Sequence, residues 1–418
     1  MELRKYNANR TKVLKINQIV RTVSETHKFD KDKLIAINTS DVENGVMGSG
    51  TLTSVDELKG QFKKTIVKDD ILFSEIRPAN RRFAKVTTED TKDYVVSTKL
   101  MVLRKYNEDV DLEYFYYCLT NQPFLDILQR RAENRIGSFP QITFDLLSEY
   151  AFPIPPISEQ KRISSVIATL DKKIALNRAI NQNLEAMAKL LYDYWFVQFD
   201  FPNEEGKPYK SSGGEMLWND KLKRNIPVGW HCGNLFEIAV FTNGLACQKF
   251  RPKDDEKSLP VIKIREMHDG ISDDTEEVTS NIPESVKVYN GDVLFSWSAS
   301  LEVMLWAYGL GGLNQHIFKV TSANDFPKSF YYFQLLDYVD VFKKMAEARK
   351  TTMGHITQDH LQQSTIAIPD NKDIADKFEE LISPIFKQIV KLQEEISNLI
   401  KQRDELLPLL MNGQITIE

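Results

Sequence analysis

The chain has 418 residues, which is too long for one ordinary hydrophobic core, so we expect at least two domains. Hydrophobic residues make up 42% of it and charged residues 27%, close to the average of folded soluble proteins. A net charge of −5 and a pI of about 5.9 argue against a uniformly basic nucleic-acid binder. Binding to nucleic acid would therefore need locally gathered basic residues, or a partner that shares the phosphate contacts.

The cysteines and the hydropathy pattern exclude further classes of protein. Cys118, Cys232 and Cys247 show neither paired nor C-x-x-C spacing, which argues against a disulfide framework and a zinc ribbon. No apolar run approaches the roughly 18 residues of a membrane span. The first residues lead into no apolar signal core. These features predict a cytoplasmic protein.

The chain repeats itself. In each half, a short strand, an Asp-Ile/Val-Leu-Phe-Ser strand, an aromatic helical stretch, an Ile-Thr segment and an Ile-Pro pair follow in the same order. Chance does not readily produce five matches in one order, so they predict two copies of one α+β domain. The matched segments are 35–37 and 261–264, 70–74 and 292–296, 113–117 and 329–333, 142–145 and 356–359, and 154–155 and 368–369.

Each copy closes with a long helical segment. The first follows Pro155 and Pro156, with Ser158 as a candidate N-cap and Glu159 in the first turn. In both segments the seam residues recur in alternating steps of four and three, which is the pattern of a coiled coil. The predicted seam consists of Ile163, Ile167, Leu170, Ile174, Asn177, Asn181, Leu184 and Leu191 in the first helix and Ile382, Ile385, Ile389, Leu392, Ile396 and Leu399 in the second.

Two features interrupt these seams. Asn177 and Asn181 lie in the middle of the first seam, where they are either tolerated imperfections or residues that fix register and orientation. Pro384 lies near the start of the second helix, and we expect a kink or a short separate turn there.

A polar segment rich in turn residues separates the two halves, so the order is domain, helix, linker, domain, helix. The linker is too short for a parallel return, so we expect the helices to pair antiparallel, with the domains at opposite ends about an approximate two-fold axis. The fold class is then α+β, with two repeated domains separated by two long antiparallel helices that form a coiled coil. The expected boundaries are 1–155, 156–200, 201–214, 215–370 and 371–418.

Catalytic signatures are scarce. The sequence has no phosphate-binding G-x-x-x-x-G-K-[ST] loop and no H-E-x-x-H motif, and residues 45–50 form a glycine-rich loop that opens no helix. His355 and His360 are a weak candidate for a metal site, and the six histidines lack ligand-type spacing. The acidic pairs at 69–70 and 273–274 are typical of solvated turns. We expect no metal site, no cofactor and no catalysis in this chain.

Polar and basic residues instead cluster at matching places of the two copies. Arg and Lys on loops can neutralise phosphates, while Arg, Asn, Gln and Ser can read base edges. Ordinary surface charge is the alternative for any one residue, but here the polar types differ between copies while the apolar scaffold agrees. The candidate DNA contacts are Arg77, Asn80, Arg81, Arg82, Lys99, Arg130, Arg131, Arg135 and Ser138 in the first copy, and Lys249, Arg251, Lys253, Lys263, Arg265, Ser298, Asn314, Gln315, His316, Arg349, Lys350, Thr352 and His355 in the second.

Four stretches carry a family resemblance. Residues 153–163, 186–200, 206–214 and 226–230 look like the central region of specificity subunits of type I restriction-modification enzymes. The similarity covers the whole layout and is most specific over roughly 150–235. The first copy departs from the family by lacking the Ile-Pro-x-Gly-Trp motif that opens the second, and the second long helix is only distantly similar to the first.

The resemblance implies more than the spacing shows. Such subunits bind double-stranded DNA with a bipartite target, and each recognition domain reads one half. Their helices set the gap between the halves and dock two methyltransferase subunits, and two restriction (motor and nuclease) subunits can join. The specificity subunit itself has no active site, so S-adenosylmethionine, ATP and magnesium would belong to the partners.

Two rival functions remain open at this point. The first is a coiled-coil adaptor that joins two protein-binding domains and never meets DNA. The second is an enzyme, such as a stand-alone nuclease, whose site is too degenerate to recognise.

Overall fold

The structure is a computed structural model that describes residues 11–58, 60–134, 141–298, 300–348, 356, 358–411 and 414–415, with no side chains described at 345–348. It divides into two compact units. Unit 1 comprises Met1–Lys173 and Ile400–Glu418, and unit 2 comprises Ile174–Leu399. Two long helices pass through both units: α4 spans Ile157–Tyr192 and α9 spans Asp373–Met411.

The other elements of unit 1 are short. Its strands and helices are β1 (Lys12–Lys15), β2 (Val20–Thr22), β3 (Lys33–Ile37), β4 (Val42–Glu43), β5 (Val46–Met47), β6 (Thr51–Ser54), β7 (Phe62–Lys64), β8 (Ile71–Ser74), β9 (Phe83–Lys85), β10 (Tyr94–Ser97), β11 (Leu100–Lys105), α1 (Leu112–Thr120), α2 (Gln122–Glu133), α3 (Phe144–Ser148) and β12 (Ala151–Ile154).

After a small hairpin of β13 and β14, unit 2 repeats the order of the strands of the two four-stranded sheets, with α7 in the place of α1 and α2. Its elements are β13 (Met216–Asn219), β14 (Arg224–Pro227), β15 (Trp230–Gly233), α5 (Leu235–Ile238), β16 (Ala239–Asn243), β17 (Ser258–Ile262), α6 (Ile264–Asp269), β18 (Glu277–Thr279), β19 (Lys287–Val288), β20 (Val293–Ser296), β21 (Glu302–Leu305), β22 (Gly311–Leu313), β23 (Ile317–Ser322), α7 (Lys328–Ala348), α8 (Gln358–Gln362) and β24 (Ile366–Pro369).

The two units have the same sheet topology, which confirms the predicted repeat. One four-stranded sheet has the order β6-β3-β10-β7 in unit 1 and β18-β17-β22-β19 in unit 2, with a parallel pair at its centre in both. The other has the order β2-β11-β8-β9 in unit 1 and β16-β23-β20-β21 in unit 2, and it is antiparallel throughout. The α+β class is therefore confirmed.

The first copy has its opening strand although it lacks the Ile-Pro-x-Gly-Trp motif. Strand β1 pairs antiparallel with β12, just as β15 pairs with β24. In each case the second strand of the pair leads into a long helix. Backbone hydrogen bonds form this pair, so the opening strand can form without the motif.

The repeated Asp-Ile/Val-Leu-Phe-Ser strand is buried on both faces. In β8, Ile71 and Phe73 belong to the core under the helices, whereas Leu72 belongs to the core between the two sheets. Successive side chains of a strand point to opposite faces, so a strand between two layers needs a continuous apolar run. In β20, Phe295 likewise belongs to the core under the helices, and Leu294 belongs to the core between the two sheets.

The aspartate of that motif is a structural residue. Asp70 is fully buried and accepts two hydrogen bonds from Arg104 on β11, both of 2.8 Å. In unit 2, Asp292 forms the matching ion pair with Lys319 on β23, also at 2.8 Å. In both copies the carboxylate also accepts the backbone N–H three residues earlier in the chain. The aspartate therefore ties a turn to the neighbouring strand.

The two long helices pack on each other in opposite directions. In unit 2, Asn177 donates to Glu395 Oε2 at 3.1 Å and Asn181 donates to the carbonyl oxygen of Ile389 at 3.3 Å. The position on α9 falls as the position on α4 rises, so the pairing is antiparallel. Every predicted seam residue is buried or half-buried.

Helix α9 continues through Pro384, so the separate turn considered there is not formed. Proline removes one backbone donor and leaves the carbonyl four residues earlier without its helical partner. Pro384 and Glu380 are exposed, so water can bond that carbonyl, while Ile382 and Phe386 are buried on the opposite side.

We predict that Asp70→Asn lowers the free energy of unfolding by about 2–3 kcal/mol, because it leaves the Arg104 guanidinium in a largely buried site without its counter-charge. Asp69→Asn is the matched control, since Asp69 is exposed; its effect should stay within about 0.5 kcal/mol. Urea unfolding of both variants measures the difference. Equal effects at the two positions would show that the buried ion pair is unimportant.

Candidate nucleic-acid interface

In each unit, two connecting segments lie side by side at the same end of the two central strands of the antiparallel sheet. In unit 1, Ser74 at the end of β8 pairs with Leu100 at the start of β11. The loop after β8 and the turn before β11 are therefore neighbours, and Glu75 N–H donates to the carbonyl of Lys99 at 3.0 Å. In unit 2, Ser296 pairs with Ile317 and brings the equivalent segments together.

The loop after β8 in unit 1 has an unusual backbone. Arg77 and Arg81 have φ values of 45° and 53°, in the left-handed region that side chains rarely adopt, and a short 3-10 helix, Pro78–Asn80, lies between them. Ala79 N–H donates to the side chain of Gln129 on α2 at 3.1 Å. The loop is therefore held against α2.

Four basic side chains around this loop are exposed. Arg77 lies in the loop, Lys99 in the adjoining turn, and Arg130 and Arg131 in the last turn of α2. None of the four forms an ion pair with a residue that the structure describes. Exposed cations without an ion pair can bind phosphate without first breaking an internal contact.

Arg81 and Arg82 have a different environment. Arg81 donates through Nε to Asn44 Oδ1 at 2.7 Å and through Nη1 to Gln122, and burial lowers the pKa of its guanidinium from the ordinary value. Arg82 lies 3.2 Å from Glu43. Both arginines already have internal partners, and these contacts help to hold the loop in place. Asn80, between Arg77 and Arg81, is exposed.

Unit 2 replaces these arginines with a polar and aromatic cluster. The backbone N–H of His316 lies 3.3 Å from the buried Asn314 Oδ1, and the ring centroids of His316 and Trp297 are 5.6 Å apart. The Nε2 atom of Gln315 lies 3.4 Å from His316 Nε2. Ser298, which follows Trp297 in the chain, is buried. The Nδ1 atom of His316 is buried and has no hydrogen-bond partner among the described residues.

A close backbone approach supports the turn before β23. A Cβ atom on Gly244 would lie 2.2 Å from the carbonyl oxygen of Asn314, so glycine is required there. The next residue, Leu245, accepts the backbone N–H of Gln315 at 2.8 Å. The turn is therefore fixed from the side that faces residues 244–245.

The basic residues of unit 2 fall into two groups. Lys249, Arg251 and Lys253 are exposed and form no ion pair with the part of the chain that is described. Lys263 lies 2.6 Å from Glu276, and Arg265 lies 2.7 Å from the buried Glu266. Those last two charges are largely neutralised inside the unit.

The remaining candidates lie outside the described residues: Arg135, Ser138, Arg349, Lys350, Thr352 and His355.

Sequence reasoning missed the residues that support the loops. Lys64 donates to the carbonyl oxygens of Thr98 and Leu100 at 3.0 and 2.7 Å, and burial lowers the pKa of its amine. Asn44 and Gln122 hold Arg81. These contacts join segments far apart in the chain, so no local pattern announces them.

Metal and thiol chemistry find little support in the described part of the chain. It contains no group of three or more His, Cys, Asp or Glu side chains that could hold a metal ion. The three cysteines are free, and burial raises the pKa of Cys247 to about 11, which keeps this thiol protonated and unreactive. No helix among the described residues combines the length and apolarity needed to cross a membrane.

The family is decided by a domain model that matches twice. The model of the type I restriction modification DNA specificity domain matches residues 12–186 and 227–402. The chain belongs to this family. With two copies of the domain, the chain is a DNA sequence-specificity subunit of a type I restriction-modification system, with one domain for each half of a bipartite target.

Known relatives agree with this assignment. The specificity subunit of the type I restriction enzyme HindI of Haemophilus influenzae is 28% identical, over 96% of this chain and 98% of its own. The MjaIX specificity subunit of Methanocaldococcus jannaschii is 25% identical over 73% of this chain and 69% of its own. The solved S subunit of the type I restriction-modification system of M. genitalium covers 97% of both chains at 14% identity, with a TM-score of 0.55, and so shares the fold.

We predict that Arg81→Ala lowers the free energy of unfolding by about 2 kcal/mol, because Asn44 and Gln122 lose a charged partner in a half-buried site. Arg77→Ala is the matched control, since Arg77 is exposed and unpaired among the described residues; its effect should stay within about 0.5 kcal/mol. Urea unfolding measures both. If Arg77→Ala were the more damaging change, the assigned roles would be reversed.

Proposed function

We propose that this subunit is a non-catalytic reader of a split DNA target. The loops after β8 and before β11 in unit 1 contact one half of the target, and the loops after β20 and before β23 in unit 2 contact the other half. The observation that carries the proposal is that the two units have the same scaffold but present different polar side chains at the same end of its central strands. Unit 1 offers Arg77 and Lys99, whereas unit 2 offers Gln315 and His316. Two readers of different half-sites need this combination.

The side chains divide by chemistry. Arg77, Lys99, Arg130 and Arg131 suit phosphate contacts, since they are exposed cations without an internal partner among the described residues. In unit 2, Lys249, Arg251 and Lys253 suit the same task. The candidates that suit base contacts through donors and acceptors are Asn80, Gln315 and His316, whereas the buried Ser298 and Asn314 suit support of the turn.

The long helices complete the proposal. We infer that α4 and α9 form an antiparallel coiled coil that sets the gap between the half-sites, with boundaries near 155, 200, 214 and 370. Membership of the family supports binding to DNA and assembly with other subunits. The finer proposal is that two methyltransferase subunits dock on the helices and restriction subunits join them, in the cytoplasm, with cofactors held by those partners.

The exchange of one domain tests modular reading. We predict that replacing residues 1–150 with the first domain of a relative of different specificity changes one half of the methylated sequence and leaves the other unchanged. Sequencing of modified bases in cells that also make the methyltransferase subunit reads out both halves. A change in both halves, or in neither, would contradict a separate reader in each unit.

A salt titration tests the phosphate contacts. We predict that Arg77→Ala combined with Lys99→Ala weakens DNA binding for all sequences and lowers the slope of log K against log salt by about two, roughly one for each lost contact. Lys68→Ala is the control, because Lys68 precedes β8 at the opposite end of that strand and pairs with Glu89. An unchanged slope in the double variant would remove these side chains from the interface. DNA binding that is absent from the wild-type complex would favour the adaptor function instead.

A further inference from the structure

Unit 2 contains a cavity that the proposed function does not use. Its volume is about 350 Å³, and it is bounded by α4, α7, α9 and the segment 302–308 that includes β21. This volume lies at the lower end of the range found for small-molecule sites. The cavity is therefore large enough for a ligand of modest size.

An unpartnered acceptor points to what the cavity holds. Asn181 is only 7% exposed and lines the cavity, and its Oδ1 atom has no hydrogen-bond partner among the described residues. Its amide nitrogen is already used, because it donates to the carbonyl oxygen of Ile389. A buried acceptor of this kind calls for a ligand that donates a hydrogen bond.

Two carboxylates line the same cavity. Glu185 follows Asn181 by one helical turn on α4, and Glu302 lies on β21. The Oε2 atom of Glu302 is buried without a hydrogen bond, although His268 Nε2 lies 3.1 Å away. Burial raises the pKa of Glu185, and burial together with the charges of both carboxylates raises the pKa of Tyr332, whose ring also lines the cavity. A bound cation would offset the cost of burying the charged form of Glu185.

The lining supplies no spare cation. Lys189 is the one basic residue among the lining residues, all of which the structure describes, and it is engaged by Asp193 and by Asp337 at 2.9 Å. Apart from Gln393, the rest of the wall is aliphatic or aromatic, and its rings are those of Tyr308, Tyr332, Phe333 and Phe386. Ring faces attract ammonium groups and also cover methylene chains.

We propose that this cavity binds an aliphatic polyamine, with ammonium groups bound by Asn181 Oδ1, Glu185 and Glu302 and the methylene chain lying along the apolar wall. A bare metal ion fits the site less well, since two carboxylates and one amide fall short of a metal-binding group, and no such group of three or more acidic, His or Cys side chains occurs in the described residues. The proposal is independent of DNA reading.

Calorimetric titration of the full chain with spermidine, without DNA, tests the proposal. We expect saturable binding at one site and a higher midpoint of thermal unfolding. Glu185→Gln combined with Glu302→Gln should weaken binding by at least about tenfold, because each change removes a charge-assisted hydrogen bond. The control is Glu204→Gln combined with Glu277→Gln, which removes two exposed charges and should leave the affinity unchanged.

Two further arms make the result decisive. Asn181→Leu should also weaken binding, and tetramethylammonium, a cation without N–H donors, should compete poorly with spermidine. A wild-type chain that shows no saturable binding at millimolar spermidine would overturn the proposal, whatever the folding of the variants, and would leave water as the occupant of the cavity. Equal weakening by the two double variants would also overturn it, because the attraction would then be general to an acidic protein.

Discussion

The contact between α4 and α9 is the constraint on which the rest of the molecule depends. Each helix belongs to both units, and the two pack on each other in unit 2 through two buried asparagines. Asn177 and Asn181 have defined partners in Glu395 and the carbonyl of Ile389. Sliding one helix along the other would leave buried amides unpaired, at a cost of about 1–3 kcal/mol each. Of the two alternatives left open by the sequence, this geometry favours register-fixing residues.

The two units share a scaffold and differ in the side chains at one end of the central strands of the antiparallel sheet. The aspartate that ties turn to strand is paired with Arg104 in one unit and Lys319 in the other, so the apolar layers and their anchors are kept. The loops at this end carry the exposed Arg77 in unit 1, which forms no ion pair with a described residue, and a half-buried cluster of Trp297, Gln315 and His316 in unit 2. An acidic chain can bind DNA in this way, because a few exposed cations on loops are enough for local phosphate contacts.

Much of the fold could be predicted from the sequence, and less of the site. The strands and their repeat follow from short apolar segments, and the long helices follow from apolar residues spaced in alternating steps of four and three. Both patterns are local in the sequence. The opening strand β1 was missed because the first copy lacks the motif that precedes β15, although backbone pairing alone forms the strand. Arg81 remains a predicted DNA contact, but its hydrogen bonds to Asn44 and Gln122 in the folded loop were not predicted. Such partners come from distant segments and become visible only when the chain has folded.

A paired deletion tests the central claim, that the helix pair sets the gap between two independent readers. One heptad would be removed from α4 within 174–185 together with the facing heptad of α9 within 385–396, so that the antiparallel register is kept. Each helix then loses about 10 Å, close to three base pairs of DNA. Sequencing of modified bases should find both half-sites unchanged and the gap between them shorter by about three base pairs. Methylation that persists with the original gap would contradict this account.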